Sequence, residues 1–162
     1  MTSQATDTSS TGAPSTGTGA AVEGTETVAF SGRCLCGQVQ FEGLATPSEA
    51  PAMHCHCKDC QRATGSGFAT VLPLPDANLK VTGEIRNFRV TGESGGAVDR
   101  EFCPKCGSPL FTRAALAPGQ VFVKAGALDN SAWLRPVVAC WTDSRESWCV
   151  LTDQIDGVPQ SP

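Results

Sequence analysis

The sequence predicts an all-β fold, a single domain of short antiparallel strands stapled by metal and preceded by a disordered tail. Three observations carry this. Apolar and polar residues alternate over many short stretches, glycine and proline interrupt those stretches, and no window sustains a helical period beyond about two turns. Nine cysteines in 162 residues, most of them closely spaced, supply the staple. A chain of this length is a prior for one domain with one core.

Residues 1–27 are almost entirely Thr, Ser, Gly and Ala, with Asp7, Glu23 and Glu26 as the charged residues. Such a segment has too little to bury to offset its ordering entropy, so a disordered tail is expected there and the domain over 28–158. Val39-Gln40-Phe41-Glu42 has the two-residue period of a half-buried strand, broken by Gly43 and Pro47. Phe68 to Leu72 reads as a strand ended by Pro73 and Pro75. Leu79–Thr82 and Ile85–Val90, separated by Gly83-Glu84, read as a hairpin. Gly92–Gly96 is a loop. Arg100–Phe102 and Pro109–Thr112 lead into and out of a cysteine pair, and Gln120–Lys124 is a further strand. Trp133–Trp141 and Trp148–Leu151 complete the series.

No apolar run approaches the roughly 18 residues of a membrane span. No basic-then-apolar leader is present, and no arginine precedes Arg33, so a cytoplasmic protein is expected. In that compartment cysteine clusters are more often metal sites than disulfides. The net charge of −4 and pI of 5.1 argue against a phosphate-binding surface, so no nucleic-acid partner is expected.

Cys34-Leu35-Cys36-Gly37 and Cys103-Pro104-Lys105-Cys106-Gly107 each have the form of a metal-binding turn, with a glycine free to adopt positive φ. Together Cys34, Cys36, Cys103 and Cys106 would make a closed four-sulfur zinc site; the alternative is two pairs of buried thiols. Cys55, Cys57 and Cys60 have a different count. Three thiolates with no fourth cysteine nearby suit a reactive zinc with an exchangeable position. The residues leave open whether His54 or His56 fills that position, or whether Cys140 reaches it. Cys140 and Cys149 otherwise read as buried hydrophobes, and Trp133, Trp141 and Trp148 as core and rim aromatics.

These residues fall into ordered motifs: Gly32-x-Cys34-x-Cys36-Gly37-x-Val39-x-Phe41-Glu42, then Cys55-His56-Cys57-x-x-Cys60-x-x-x-x-Gly65-Ser66. Phe102-Cys103-x-x-Cys106-Gly107-Ser108-x-Leu110 and Gly126-x-Leu128-Asp129 follow. From about Phe30 to Asp153 the chain resembles the glutathione-dependent formaldehyde-activating enzyme family, which includes centromere protein V. The resemblance implies a β-tent fold and two zinc ions, one on each of the cysteine sets above. It also implies condensation of glutathione with formaldehyde to S-hydroxymethylglutathione, a carbon–sulfur lyase type of activity. Cys55, Cys57 and Cys60 would then be catalytic. Arg62 or Lys58 would pair with a glutathione carboxylate, and amides around Gly65, Ser66 and Gly67 would bind another. Two places depart from related sequences: Ala139 stands where many carry histidine, and Asp153-Gln154-Ile155-Asp156 where many carry an Asp-x-Leu-Pro-like run. The alternatives are a non-enzymatic zinc-stabilised binding module, a carrier of glutathione adducts, or a redox-sensing thiolate cluster.

Overall fold

The computed structural model describes residues 26–160. The tail expected over 1–27 therefore lies, apart from its last two residues, outside the described residues. Eleven strands follow in order: β1 (Val28–Arg33), β2 (Gln40–Ala45), β3 (Met53–Cys55), β4 (Ala69–Pro75), β5 (Leu79–Thr82), β6 (Arg86–Thr91), β7 (Ala97–Phe102), β8 (Pro109–Ala114), β9 (Gln120–Lys124), β10 (Val138–Cys140) and β11 (Asp156–Gly157). One short α-helix, α1 (Lys58–Thr64), lies between β3 and β4, and three single-turn 3-10 segments complete the regular elements among the described residues. Three strands form one sheet in the order β1-β2-β5; eight form another, β11-β10-β3-β4-β9-β8-β7-β6.

The all-β class is as expected, and alternation explains it. In β2 Phe41 is buried between exposed Gln40 and Glu42, as the two-residue period requires. In β9 both faces are used. Val121 and Val123 join Leu72, Leu74 and Phe111 in the main core, against Phe30 and Phe41 of the small sheet. Phe41 and Phe111 meet edge to face across the sheets, with ring centroids 5.1 Å apart. Phe122 turns to the opposite face and packs with Met53, Cys55, Ala69 and Val71.

Gly32 explains why the first motif opens on glycine. A Cβ there would stand 2.2 Å from the Phe41 ring and 2.4 Å from the Ala127 carbonyl oxygen. The backbone thus approaches another segment more closely than any side chain allows.

Four expectations need correction. Leu79–Thr82 and Ile85–Val90 are not a hairpin: β5 pairs with β2 and β6 with β7. Gly83, at φ +103°, carries the chain from one sheet to the other. β4 does not stop at Pro73 but continues to Pro75. Its pairing with β3 ends at Val71, so the prolines lie beyond that partner, where a missing N–H leaves no ladder bond unmade. Of Trp133–Trp141 only Val138–Cys140 is a strand, and Trp148–Leu151 contains none. Trp148 and Val150 are exposed; β-favouring residues there have no neighbouring strand to pair with. Finally, not all pairing is antiparallel, because β10 runs parallel to both β3 and β11.

Candidate metal centres

The first cluster joins two tight turns far apart in sequence. Cys34 and Cys36 follow β1; Cys103 and Cys106 lie between β7 and β8. Their four sulfurs all fall within 4.8 Å of one another. Gly37 N–H donates to Cys34 O (3.0 Å) and Gly107 N–H to Cys103 O (2.9 Å), with both glycines at positive φ. Two tight turns, one closed over three residues and the other over four, thus aim sulfur pairs at a common centre. Leu35 N–H donates to Ser108 Oγ (3.0 Å) and locks the turns together. Sulfur separations of 3.5 Å for Cys34–Cys36 and 3.8 Å for Cys36–Cys103 suit a tetrahedral ion, which with bonds of about 2.3 Å holds its sulfurs roughly 3.8 Å apart. The Ser108 hydroxyl and amide hold Cys106 down to about 5.

The second cluster is more local. Cys55 ends β3, Cys57 caps α1, and Cys60 lies in its first turn. Cys57 has extended backbone, and its Sγ accepts the Cys60 N–H at 3.3 Å, satisfying one of the donors a helix start leaves free. Gly65, at φ +68°, ends the helix by donating to Gln61 O at 2.9 Å. The Cys55, Cys57 and Cys60 sulfurs lie within 4.8 Å of one another, and no fourth histidine, cysteine or carboxylate completes the group among the described residues. Cys57 and Cys60 are buried and Cys55 half-buried.

Polar anchors hold α1 in place. Gln61 Nε2 donates to the His56 and Ser144 carbonyls (2.7 and 2.9 Å). Lys58 pairs with Glu146, and its N–H reaches Glu93 Oε1 at 3.2 Å. Hydrogen bonds from Cys55 and Cys57, reinforced against burial by the charges of Lys124 and Arg100, hold the Cys60 thiol down at about 2. The neighbouring Cys140 thiol, followed by Cys57 and Cys60, pushes Cys55 up.

Neither histidine joins the cluster. His54 pairs in register with Thr70, and its Nδ1 lies 3.0 Å from Thr70 Oγ1. The two-residue period puts it on the sheet face opposite Cys55. His56 is fully buried and packs at a tilt against Phe68 with centroids 5.3 Å apart; neither ring nitrogen has a hydrogen-bond partner among the described residues. Cys140 pairs with Cys55 across β10 and β3, but its Sγ donates to His54 O at 3.3 Å and stands outside the three-sulfur group. Cys149 is buried against Gly67.

Arg62 lies on the outer side of α1, its side chain 78% exposed and 4.0 Å from Asp59. Ser66 N–H donates to Thr64 Oγ1 at 3.3 Å. Ser66, Thr64, His54 and Thr70 line a cleft of about 1060 Å³, together with Cys34, Ser108, Gly126 and Asp129. The cleft thus runs beside both clusters without being lined by Cys55, Cys57 or Cys60. Ala69 and Lys124 line it and are also neighbours of the second cluster.

Sequence reasoning missed Arg100 and Lys124. Arg100 Nη1 donates to Cys60 Sγ at 3.9 Å, and Nη2 lies 3.6 Å from Asp59. Lys124 shares the phase of Phe122 in β9, which was a signal, but only a strand buried on both faces makes that phase informative.

Burial lowers the pKa of both histidines below the ordinary 6.5, first through the loss of hydration around the charged ring. The unfolded chain then binds more protons as pH falls through that value, so stability present above it is lost below it. Denaturant midpoints should fall between about pH 7.5 and about pH 5.5, and less steeply in His54→Gln, by the linkage of protonation to unfolding. Equal slopes would show that His54 contributes nothing.

A mostly β protein built around two cysteine clusters, one of four sulfurs and one of three, both with spacing fit for a metal ion, is the class that fold and site define. The sequence profile of the glutathione-dependent formaldehyde-activating enzymes matches residues 29–144, and the chain belongs to that family. A Phaeosphaeria nodorum protein is 28% identical over 128 residues, covering 77% of this chain and 67% of its own. A Halomonas elongata protein is 30% identical over 105 residues, with 62% and 66% covered. A Colletotrichum graminicola protein is 28% identical over 121 residues, with 71% and 63% covered. Each bears the provisional name of glutathione-dependent formaldehyde-activating enzyme. The chain spans about two thirds of the length of these relatives. A Rhodobacter sphaeroides protein of known crystal structure shares the fold, with a TM-score of 0.51 at 23% identity, covering 62% of this chain and 88% of that one. Among the described residues no helix is long and apolar enough to cross a membrane.

Proposed function

We propose that this protein joins glutathione, or a similar small thiol, to a small aldehyde such as formaldehyde, or catalyses the reverse, at a zinc centre formed by Cys55, Cys57 and Cys60. The observation that carries this reading is the count: three convergent thiols without a fourth protein ligand among the described residues. A divalent ion held there supplies an exchangeable position at which a thiol ionises more readily than its free value near pH 8.5. The second zinc belongs to Cys34, Cys36, Cys103 and Cys106, where four sulfurs leave no position for a substrate.

In such a reaction the thiol, having given up its proton, would add through sulfur to the aldehyde carbon. A carbon–sulfur bond forms, the carbonyl pair moves to oxygen, and that oxygen takes a proton, giving a hemithioacetal; the reverse sequence releases both partners. This is carbon–sulfur lyase chemistry in the family's sense. Arg62 and the turn at Gly65 and Ser66 are the proposed contacts for the thiol's carboxylates, beside the cleft that Ser66 lines. The functional unit is taken as residues 28–158, and the compartment as the cytoplasm.

The donor set also favours a second reading, that of a carrier. Three thiolates around a divalent ion leave it a weak Lewis acid, poorly suited to polarising a carbonyl. The deciding experiment is the initial rate of adduct formation from glutathione and formaldehyde with catalytic amounts of zinc-loaded protein. An acceleration proportional to protein is expected. Tight glutathione binding with an unchanged rate would replace the enzyme by the carrier.

A further inference from the structure

Lys124 is a buried lysine that the thiol reaction does not use. It is 6% exposed, its ammonium has no hydrogen-bond partner, and it forms no ion pair among the described residues. Register fixes its surroundings. Lys124 pairs with Val71 and Val71 with Met53, while two residues along the strand Ala69 pairs with Cys55. Paired residues share a face, as do residues two apart, so Lys124 lies on the side of the large sheet that carries the three-cysteine cluster. Phe122, in phase with it, packs against the same group.

Burial comes first and lowers the Lys124 pKa; the sulfurs, Cys60 before Cys55 and Cys57, act to hold the charge, and Arg100 acts against it. Arg100 already has a carboxylate, Asp59, at 3.6 Å. An ammonium removed from water without a partner is strongly unfavourable unless an opposite charge stands near. Three thiolates around a divalent ion leave one net negative charge, which one ammonium offsets.

We propose that Lys124 is the counter-charge of the three-cysteine centre, securing the ion there and making its remaining position favour an anionic sulfur over a neutral donor. The second half rests on the proposed thiol binding; the first does not. Lys124 is thus a positioning residue that acts through the metal site.

The test uses the full chain loaded with zinc, or with cobalt(II) as a spectroscopic substitute, in wild type, Lys124→Met and Lys124→Arg. In chelator competition Lys124→Met should weaken one of the two sites by about 10- to 100-fold, the range for residues that support metal ligands. The four-cysteine site should keep its ion and report an intact fold, and Lys124→Arg should restore most of the affinity. In the cobalt protein, glutathione should bind Lys124→Met about tenfold more weakly, while imidazole, a neutral donor, binds unchanged, as expected for loss of one nearby charge. Wild-type metal affinity in Lys124→Met, or equal losses in Met and Arg variants, would overturn the proposal. So would equal weakening of both ligands. If wild type binds neither ligand, the thiol reading and the ligand preference fall together, and chelator competition alone decides whether Lys124 secures the ion.

Discussion

Cys103→Ser should leave the chain unable to hold its native fold under conditions where the wild type is stable. Cys103 is fully buried and belongs to the main core with Cys34, Phe41 and Phe111. Its sulfur is 3.8 Å from Cys36, 67 residues away in sequence, so the site links the start of the small sheet to the far side of the large one. Apparent binding free energies of structural zinc sites are about 10–16 kcal/mol. The whole net stability of a domain is only about 5–15 kcal/mol. Removing one ligand from a buried site therefore removes a quantity comparable to everything that favours folding. Thermal unfolding by circular dichroism, with and without a strong chelator, measures this. The variant should resemble chelated wild type; a variant that melts with the untreated protein would show that packing alone holds the sheets.

Cys57→Ser should have the opposite character: a folded protein with one metal ion instead of two and no glutathione binding. The second cluster rests on a three-residue strand and a seven-residue helix, and its buried group, Cys57, Cys60, Ala69 and Val71, is small. The substitution is also discriminating. Cys57 Sγ caps α1 through the Cys60 N–H, and serine is among the preferred residues at a helix N-cap. The cap survives while the thiolate is lost. Metal content and calorimetric titration with glutathione are the measurements. Two retained ions would remove Cys57 from the ligand set, and a collapsed fold would make this centre structural.

Much of both centres was legible in the sequence because the turns that build them are local. Cys-x-Cys-Gly and Cys-x-x-Cys-Gly each encode a complete turn, and Cys57-x-x-Cys60 the first turn of a helix. The strand around Phe41 was legible for the same reason, since alternation reports a face without reference to any partner. What escaped was pairing. Nothing in Leu79–Thr82 and Ile85–Val90 distinguishes two strands of one hairpin from two strands of different sheets; the choice is made by β2 and β7, which lie elsewhere in the chain. Lys124 escaped likewise. A lysine at a strand end ordinarily reaches water, and its burial here is decided by segments elsewhere in the chain.

The double role of Cys57 has one more consequence. An isolated helix of seven residues is far below the roughly 12–15 at which even favourable sequences become marginal in water. Its first turn here is organised by a sulfur that also belongs to the metal site. Forming the helix and occupying the site are then linked equilibria, and linkage is reciprocal: whatever the ion contributes to the helix, the helix contributes to the ion. If the three cysteines hold a metal ion, that centre is open to regulation from either end, by metal supply or by anything that holds or releases α1. The anchors at Gln61, Lys58 and Glu93 belong to its metal affinity as much as to its fold.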